Sequence, residues 1–473
     1  ELVKKKYKKN YLNFNENEKI DFLKSRINSS KHFINKFQFR NKENKEVWDT
    51  FNVLSQEPSE CLGAYVISMT SSASDILSVS FLQKEAKIKN KLRVVPLFET
   101  LDDLINAKSI MENLFSYKWY RNLIKHKQEV MIGYSDSSKD AGKICASWHQ
   151  YKAQEEIVKL AKKHNIEVVF FHGRGGSAGR GGGPIQATLR SLPPNSVNGK
   201  IRITDQGEVI QQKYGYEPLA KYNLCSYIGA VSEASLNPPP QPKKTWRTLI
   251  EKMAEISKSS YRKNINQNSD FIKYFKTVTP HVSLGKLSIG SRPSKRKNVD
   301  NIQSLRAIPW IFAWTQIRLM LPAWLGSAEA LRYASIKDFR KILYDMERNW
   351  PFFNSMLDIL DMVISKVDTD ISKIYEEYLA DEKLKRVGKR LRFQFEVIKK
   401  LNKEITPKEI MKARKQFRTS VVIRNIYAEV LNIIQPIVIK KIKTNKNNSN
   451  KKYLNDALLT SIAGISAAMK NTG

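Results

Sequence analysis

Five short apolar runs constrain the fold of this chain more than any other feature: GAYVISM (63–69), RVVPLFE (93–99), EVMIGYSD (129–136), EVVFFHG (167–173) and KIRITDQ (200–206). They are rich in β-branched and aromatic residues. Helix-like stretches such as SDILSVSFLQKEAKI (74–88) and YKAQEEIVKLAKKHN (151–165) separate them. Strand and helix in repetition predict a parallel sheet with helices outside it. After residue 240 the apolar spacing is helical almost to the end, with breaks at SRPSKRKNVDN (291–301) and in the Lys/Asn stretch before Tyr453. The expected class is α/β and mostly helical, with residues 1–215 carrying the strands and 216–473 a predominantly helical region.

A chain of 473 residues with 8 Trp, 19 Tyr and 20 Phe can bury far more surface than a disordered chain carries. Three cysteines, Cys61, Cys145 and Cys225, have no paired spacing, which excludes a disulfide framework or a zinc site of two close pairs and points to a reducing, cytoplasmic compartment. Lys and Arg number 81 against 46 Asp and Glu, a net charge of +35. Lysine is spread along the whole chain, often beside Asn as in KKIKTNKNNSNKK (440–452), and no helix-turn-helix, zinc-finger or RNA-binding signature accompanies it. A nucleic-acid partner is therefore not expected. The basic field still attracts anionic substrates, within a Debye length of about 8 Å at physiological salt. The one span-like stretch, AIPWIFAWTQIRLMLPAWL (307–325), is interrupted by Pro309, Gln316, Arg318 and Pro322, and reads as a buried helix rather than a membrane anchor. Glu1, followed by a basic stretch with no apolar signal core, reads as the start of a fragment or of a processed chain.

Polar residues collect where the apolar runs end: Glu99, Asp136, His172 and Asp205-Gln206. Strand ends are where barrels and open parallel sheets put their chemistry. The segment FHGRGGSAGRGGGP (171–184) carries Arg174 and Arg180 among seven glycines, a combination suited to an anion because bare backbone approaches it closely and guanidiniums clamp it. Gly173, Gly175 and Ala178 fit a loose dinucleotide pattern, but Gly181-Gly182-Gly183-Pro184 prevents the direct run into a helix which that pattern needs. In VMIGYSDSSKDAG (130–142), Asp136 and Asp140 flank Lys139. A carboxylate at Asp136, with Glu99 from the preceding run, suits a hard divalent cation, and Lys139 suits a small anion. In GSRPSKRKNVDNIQSLRAIPWIFAWTQ (290–316), Arg292 and Arg306 bracket a basic loop leading into the Trp-rich helix, a further candidate anion site.

Taken together, these segments resemble the phosphoenolpyruvate carboxylase family. The glycine segment, VMIGYSDSSKDAG and SLRAIPWIFAWTQ are similar to its three signature motifs, and GAYVISMTSSASDILSV, RVVPLFETLDDL, NWPFFNSMLDILDMVISK and the terminal GISAAMKNTG match as well, from about Tyr11 to Gly473. The resemblance implies a (β/α)8 TIM-type barrel, about five of whose eight strands lie here, with a large C-terminal helical region. It implies conversion of phosphoenolpyruvate and bicarbonate to oxaloacetate and phosphate with Mg²⁺ or Mn²⁺. Glu99 and Asp136 match the metal ligands, Lys139 a bicarbonate lysine, His172, Arg174 and Arg180 active-site residues of the glycine loop, and Arg292 and Arg306 further substrate arginines. Lys366, Arg424 and Asn471, with Arg180, match a site for the inhibitors aspartate or malate, and the complete protein is expected to be a homotetramer.

Three departures accompany the resemblance. The family's front portion, with its TAHPT-type histidine, has no counterpart here, and this chain alone is not expected to close the barrel. Asp300-Asn301 and Gln303 stand where the family has Gly-Gly and Glu, and Gln186 replaces a family histidine. Two other functions fit the same residues: an inert carboxylase-like subunit that binds anions or partners, and a dinucleotide-dependent oxidoreductase.

Overall fold

Each expected apolar run forms a strand: β1 (Ala64–Ile67), β2 (Arg93–Phe98), β3 (Lys127–Gly133), β4 (Glu167–Gly173) and β5 (Arg202–Ile203). These belong to a computed structural model that describes residues 3, 10–32, 34, 39–173, 185–205, 207–265, 268–285, 305–406, 415–444 and 450–469. The chain is mostly helical, and its strands follow one another in chain order as a curled parallel half-barrel. Val66 pairs with Val95, and Leu97 with Met131, in parallel register. Two runs extend less far than expected. β3 stops at Gly133, because Tyr134 already has helical dihedrals and the Ser138 hydroxyl bonds back to its carbonyl at 2.8 Å. β5 is confined to two residues, after which Asp205 is drawn to Lys213 at 2.8 Å.

The chain forms two compact units, residues 1–133 with 153–171, and residues 134–152 with 172–473. In the first unit β2 is buried almost continuously from Val95 to Phe98, as a parallel strand covered on both faces should be. Ile76 and Leu77 of the helix Ala73–Glu85 and Met111, Leu114 and Phe115 of the helix Leu101–Ser116 share that core, all fully buried. Both helices start with capping boxes, Ser72 with Asp75 and Thr100 with Asp103, which satisfy the first-turn amides.

The second unit is a helical assembly with two aromatic centres. Trp246 stacks on Trp350 at 5.7 Å, with Trp148, Tyr151 and Phe352 around Trp350. Phe271, Phe275, Trp310 and Trp314 form the other. A buried polar network ties the helices Ala307–Gln316, Thr369–Leu379, Lys415–Thr444 and Lys451–Ala468 together: Gln435 donates to Gln316 Oε1 (2.9 Å) and Ser461 Oγ (3.0 Å), and accepts from Tyr375 (2.7 Å). Hydrogen bonds made across four helices let such a network specify one packing arrangement.

The span-like stretch is buried, as the sequence reading expects, but it is helical over only part of its length. Residues 307–325 are buried, but the helix ends at Gln316 and left-handed Arg318 and Met320 turn the chain. Among the described residues, the helix with the length and hydropathy of a span is instead Val422–Thr444, a third of it buried. Its inward side carries Asn432 and Gln435 in the polar network, while Val422, Ile426 and Val430 are exposed.

Glu376 is a closely confined carboxylate of this assembly, 2 % exposed. It accepts from Tyr274 at 2.8 Å and pairs with Arg392, and a Cβ on Gly388 would overlap its carboxylate. Burial, then the charge of Glu376, pushes the Tyr274 phenol far up, so it remains a donor. Leaving a buried charge without its partner costs about 3–5 kcal/mol. Arg392→Met is therefore expected to lower the unfolding free energy by that order, and Gly388→Ala by about 1–3 kcal/mol through overpacking, both seen as a lower urea midpoint. Tryptophan fluorescence reads both, and midpoints unchanged from wild type would mean that the carboxylate escapes to solvent.

Candidate active site

In the first unit, Glu99 follows β2 directly and is 2 % exposed. Its amide donates to Asp103 Oδ2 at 3.2 Å, inside the capping box of the helix that follows, so the capping interaction also fixes the residue before it. From the other side β3 closes in: a Cβ on Gly133 would lie 2.7 Å from Glu99 Cβ and 2.8 Å from its Cα. Only glycine permits that approach. The carboxyl is thus held at a strand end with its backbone fixed on two sides.

In the second unit, Asp136 and Lys139 lie on the short helix Ser135–Ala141, past the strand rather than at its end as expected, and both are half-buried. The helix Lys244–Ile265 straps this segment down. Tyr261 donates to the Lys139 carbonyl at 2.8 Å, and Arg262 pairs with Asp140 Oδ1 at 2.9 Å while Nε reaches the Asp140 carbonyl at 3.3 Å. Asp140 is therefore neutralised by Arg262. Gly142 ends the helix at φ +78°, with the Tyr261 ring 3.2 Å from where a Cβ would stand.

His172 is 1 % exposed, at the end of β4 as expected. Its carbonyl accepts from Thr204 N at 3.0 Å, and its Nδ1 lies 2.8 Å from the Tyr134 hydroxyl. Tyr134 thereby joins the YSD segment to the start of the glycine segment. Arg306 is the N-cap residue of the helix Ala307–Gln316, half-buried, and that helix packs on the helix Ser135–Ala141. Arg174, Arg180, Arg292 and Asn471 lie outside the described residues, as do the substitutions at 300–303.

Of the residues matched to an inhibitor site, Lys366 and Arg424 are described, and both lie in the second unit. Lys366 follows the helix Pro351–Ile364 and is buried, so it is not a helix-surface cation; Nζ donates to the carbonyl of Met469, the C-cap of the helix Lys451–Ala468, at 2.8 Å. Arg424 lies within the helix Lys415–Thr444 and does not open it, and burial pushes its guanidinium down. Arg318 links the two regions, donating from Nε to the Lys366 carbonyl (3.1 Å) and from Nη2 to Asn425 Oδ1 (3.0 Å).

Sequence reasoning missed Tyr134, Tyr261, Arg262 and Arg318 as members of these sites. Tyr134 had a signal, its place between the β3 glycine and Asp136; Tyr261 and Arg262 lie in an ordinary amphipathic helix and have none. The Cys145–His149 pair, with Sγ 3.6 Å from Nδ1, is no activated nucleophile. Burial pushes the thiol up to about 12 and the imidazole down.

The family model for phosphoenolpyruvate carboxylase matches residues 1–473. Among curated proteins, those named phosphoenolpyruvate carboxylase from Marinomonas sp. (strain MWYL1) and Shewanella halifaxensis (strain HAW-EB4) are 44 % and 45 % identical over 464 residues, covering 98 % of this chain and 53 % of their own length. The protein of that name from Proteus mirabilis (strain HI4320) is 42 % identical over the same length. The chain spans about half the length of the curated relatives it matches.

The Gly133 contact generates a prediction independent of any assay. Because the neighbours of an added methyl are Glu99 Cβ and Cα, no side-chain rotation relieves the overlap. Gly133→Ala is expected to cost about 1–3 kcal/mol of stability, read as a lower denaturation midpoint. Full stability would show that β2 and β3 shift freely at that end.

Proposed function

The chain belongs to the phosphoenolpyruvate carboxylase family, and from that premise we propose that it provides the glycine-loop and metal-site portion of a carboxy-lyase converting phosphoenolpyruvate and bicarbonate to oxaloacetate and phosphate. The observation that carries this reading is the joining, within one unit, of two strand-end motifs: Tyr134 beside His172, on a segment whose Asp136 and Lys139 are strapped in place through Tyr261 and Arg262. The half-barrel is proposed to be five-eighths of a (β/α)8 barrel, with 1–215 as its barrel portion and 216–473 as the helical region around it.

Bicarbonate oxygen attacks phosphorus, the bond from phosphorus to the enol oxygen breaks, and carboxyphosphate and the enolate of pyruvate result. Carboxyphosphate releases phosphate and CO₂, and the enolate carbon attacks that CO₂. In this scheme Lys139 holds bicarbonate as a compact cation, and Arg174, Arg180, Arg292 and Arg306 take the phosphoryl and carboxylate oxygens. His172 adds an imidazole donor beside them. The donor set at Glu99 and Asp136 is oxygen only, and two carboxylates with the rest of the shell left to water and substrate suit Mg²⁺ or Mn²⁺. When bound, the cation supplies positive charge beside the oxygen that becomes the enolate. The net charge of +35 favours encounter with both anionic substrates.

Lys366, Arg424, Asn471 and Arg180 are proposed to bind aspartate or malate, two cations holding a dicarboxylate while the amide orients it. Drawing Arg180 to the inhibitor withdraws it from substrate, so the two ligands oppose each other. The complete protein is proposed to be a homotetramer acting in the cytoplasm.

In the complete enzyme, Glu99→Gln and Asp136→Asn are expected to abolish divalent-cation-dependent turnover and to weaken Mn²⁺ binding measured directly by electron paramagnetic resonance. Wild-type turnover and Mn²⁺ affinity in both variants would remove the assignment and favour an inert carboxylase-like subunit. Charge-assisted hydrogen bonds contribute about 1.5–3 kcal/mol, so Arg174→Ala and Arg180→Ala should each lower kcat/KM at least about tenfold. Lys139→Ala should chiefly raise the bicarbonate KM.

For the inhibitor site, Arg424→Ala is the cleaner probe, since Lys366 also binds the Met469 carbonyl. It is expected to raise the half-inhibiting aspartate concentration while uninhibited turnover persists. An unchanged inhibition curve would refute the assignment of Arg424.

A further inference from the structure

We propose that Tyr134 is a positioning residue that fixes the tautomer and ring orientation of His172, so that Nε2–H is presented as the donor to an oxyanion. The inference rests on the reading of His172 as part of the carboxylation site. The tyrosine is itself immobilised. It occupies the single position between β3 and the helix Ser135–Ala141, is 5 % exposed, and its carbonyl accepts from Ser138 Oγ at 2.8 Å and from Gln150 Nε2 at 3.5 Å. The phenol oxygen stands 2.8 Å from His172 Nδ1, with the two rings tilted by 42°.

His172 is held from both ends. Thr204 N, just past β5, bonds to its carbonyl at 3.0 Å and fixes the backbone, while Tyr134 fixes the ring. A neutral imidazole carries one N–H, and the partner of one nitrogen decides which atom bears it. A phenol donating to Nδ1 leaves the proton on Nε2. That tautomer suits phosphate or carboxylate, which are acceptors only; the reverse tautomer would turn a lone pair on the substrate. A buried hydrogen bond to a rigid aromatic ring can make this choice.

The chain has six histidines, so ¹⁵N-histidine spectra of it are simple enough to assign His172 by difference with His172→Gln. The expected wild-type signature is an unprotonated Nδ1 and a protonated Nε2. Tyr134→Phe, which removes only the hydroxyl, should convert this to a mixture of tautomers while the denaturation midpoint moves little. In the complete enzyme Tyr134→Phe is expected to lower kcat/KM for phosphoenolpyruvate about tenfold. Glutamine places an amide N–H near the Nε2 position whatever its neighbour does. In a His172→Gln background Tyr134→Phe should therefore cost less than twofold. A protonated Nδ1 in wild type, or His172 signals unchanged by Tyr134→Phe, overturns the proposal. The expected spectra together with full turnover in His172→Ala would instead overturn the placement of His172 in the carboxylation site, and with it the aim given to Nε2.

Discussion

Tyr261 is the contact on which the candidate site depends. It is buried at 1 % exposure in the helix Lys244–Ile265, and two glycines at left-handed dihedrals, Gly142 (φ +78°) and Gly326 (φ +83°), lie against it. A Cβ at Gly326 would stand 2.5 Å from Ser257 O and 3.1 Å from Tyr261 Cβ, so the approach requires glycine twice over, for space and for backbone sign. The same side chain donates to the Lys139 carbonyl. One tyrosine therefore stops the short helix that carries Asp136 and Lys139, and couples that stop to the turn before the helix Ser327–Ala334. A short helix has too few hydrogen bonds to hold its own place; here a neighbouring helix supplies the constraint.

The handling of charge follows the same logic. Most of the +35 is dispersed over exposed lysines, where pairs such as Lys252 with Glu255 contribute little. The few buried cations are placed where the backbone offers compensation. Lys366 donates to the carbonyl at the end of the helix Lys451–Ala468, the negative end of that helix's dipole. Arg318 donates to the Lys366 carbonyl, and although burial pushes its guanidinium down, the charges of Asp368 and Glu429 oppose that shift. Two cations thus stand close together in the second unit, each bonded to a main-chain oxygen.

The strands were legible in the sequence because parallel strands, buried on both faces, read as continuous apolar runs; RVVPLFE became β2 over Arg93–Phe98 with no ambiguity of period. Strand ends were legible less well. EVMIGYSD continues as an apolar-polar alternation past Gly133, and nothing in that pattern reveals that Ser137 and Ser138 turn their hydroxyls onto the Tyr134 carbonyl and begin a helix. Glu99 and His172 could be picked out because they follow strands directly. Tyr261, Arg262 and Arg318 could not, since each acts across more than 45 residues of sequence and sits in a segment whose local pattern is ordinary. For the apolar stretch 307–325 burial was legible in the composition, whereas the helix end at Gln316 and the left-handed turn at Arg318 and Met320 were not.

Within SDSSKDA two aspartates lie four apart, one turn of helix, and composition cannot assign them different roles. Packing does. Arg262 reaches Asp140 with two contacts, one to its carboxylate and one to its main chain, so that aspartate anchors the helix. Asp136 lies a turn earlier, next to the residue that leaves β3, and its carboxylate is not spent on that anchor. The four-residue spacing keeps both aspartates on one short element, which the Arg262 contacts to Asp140 and the Tyr261 bond to the Lys139 carbonyl hold in place.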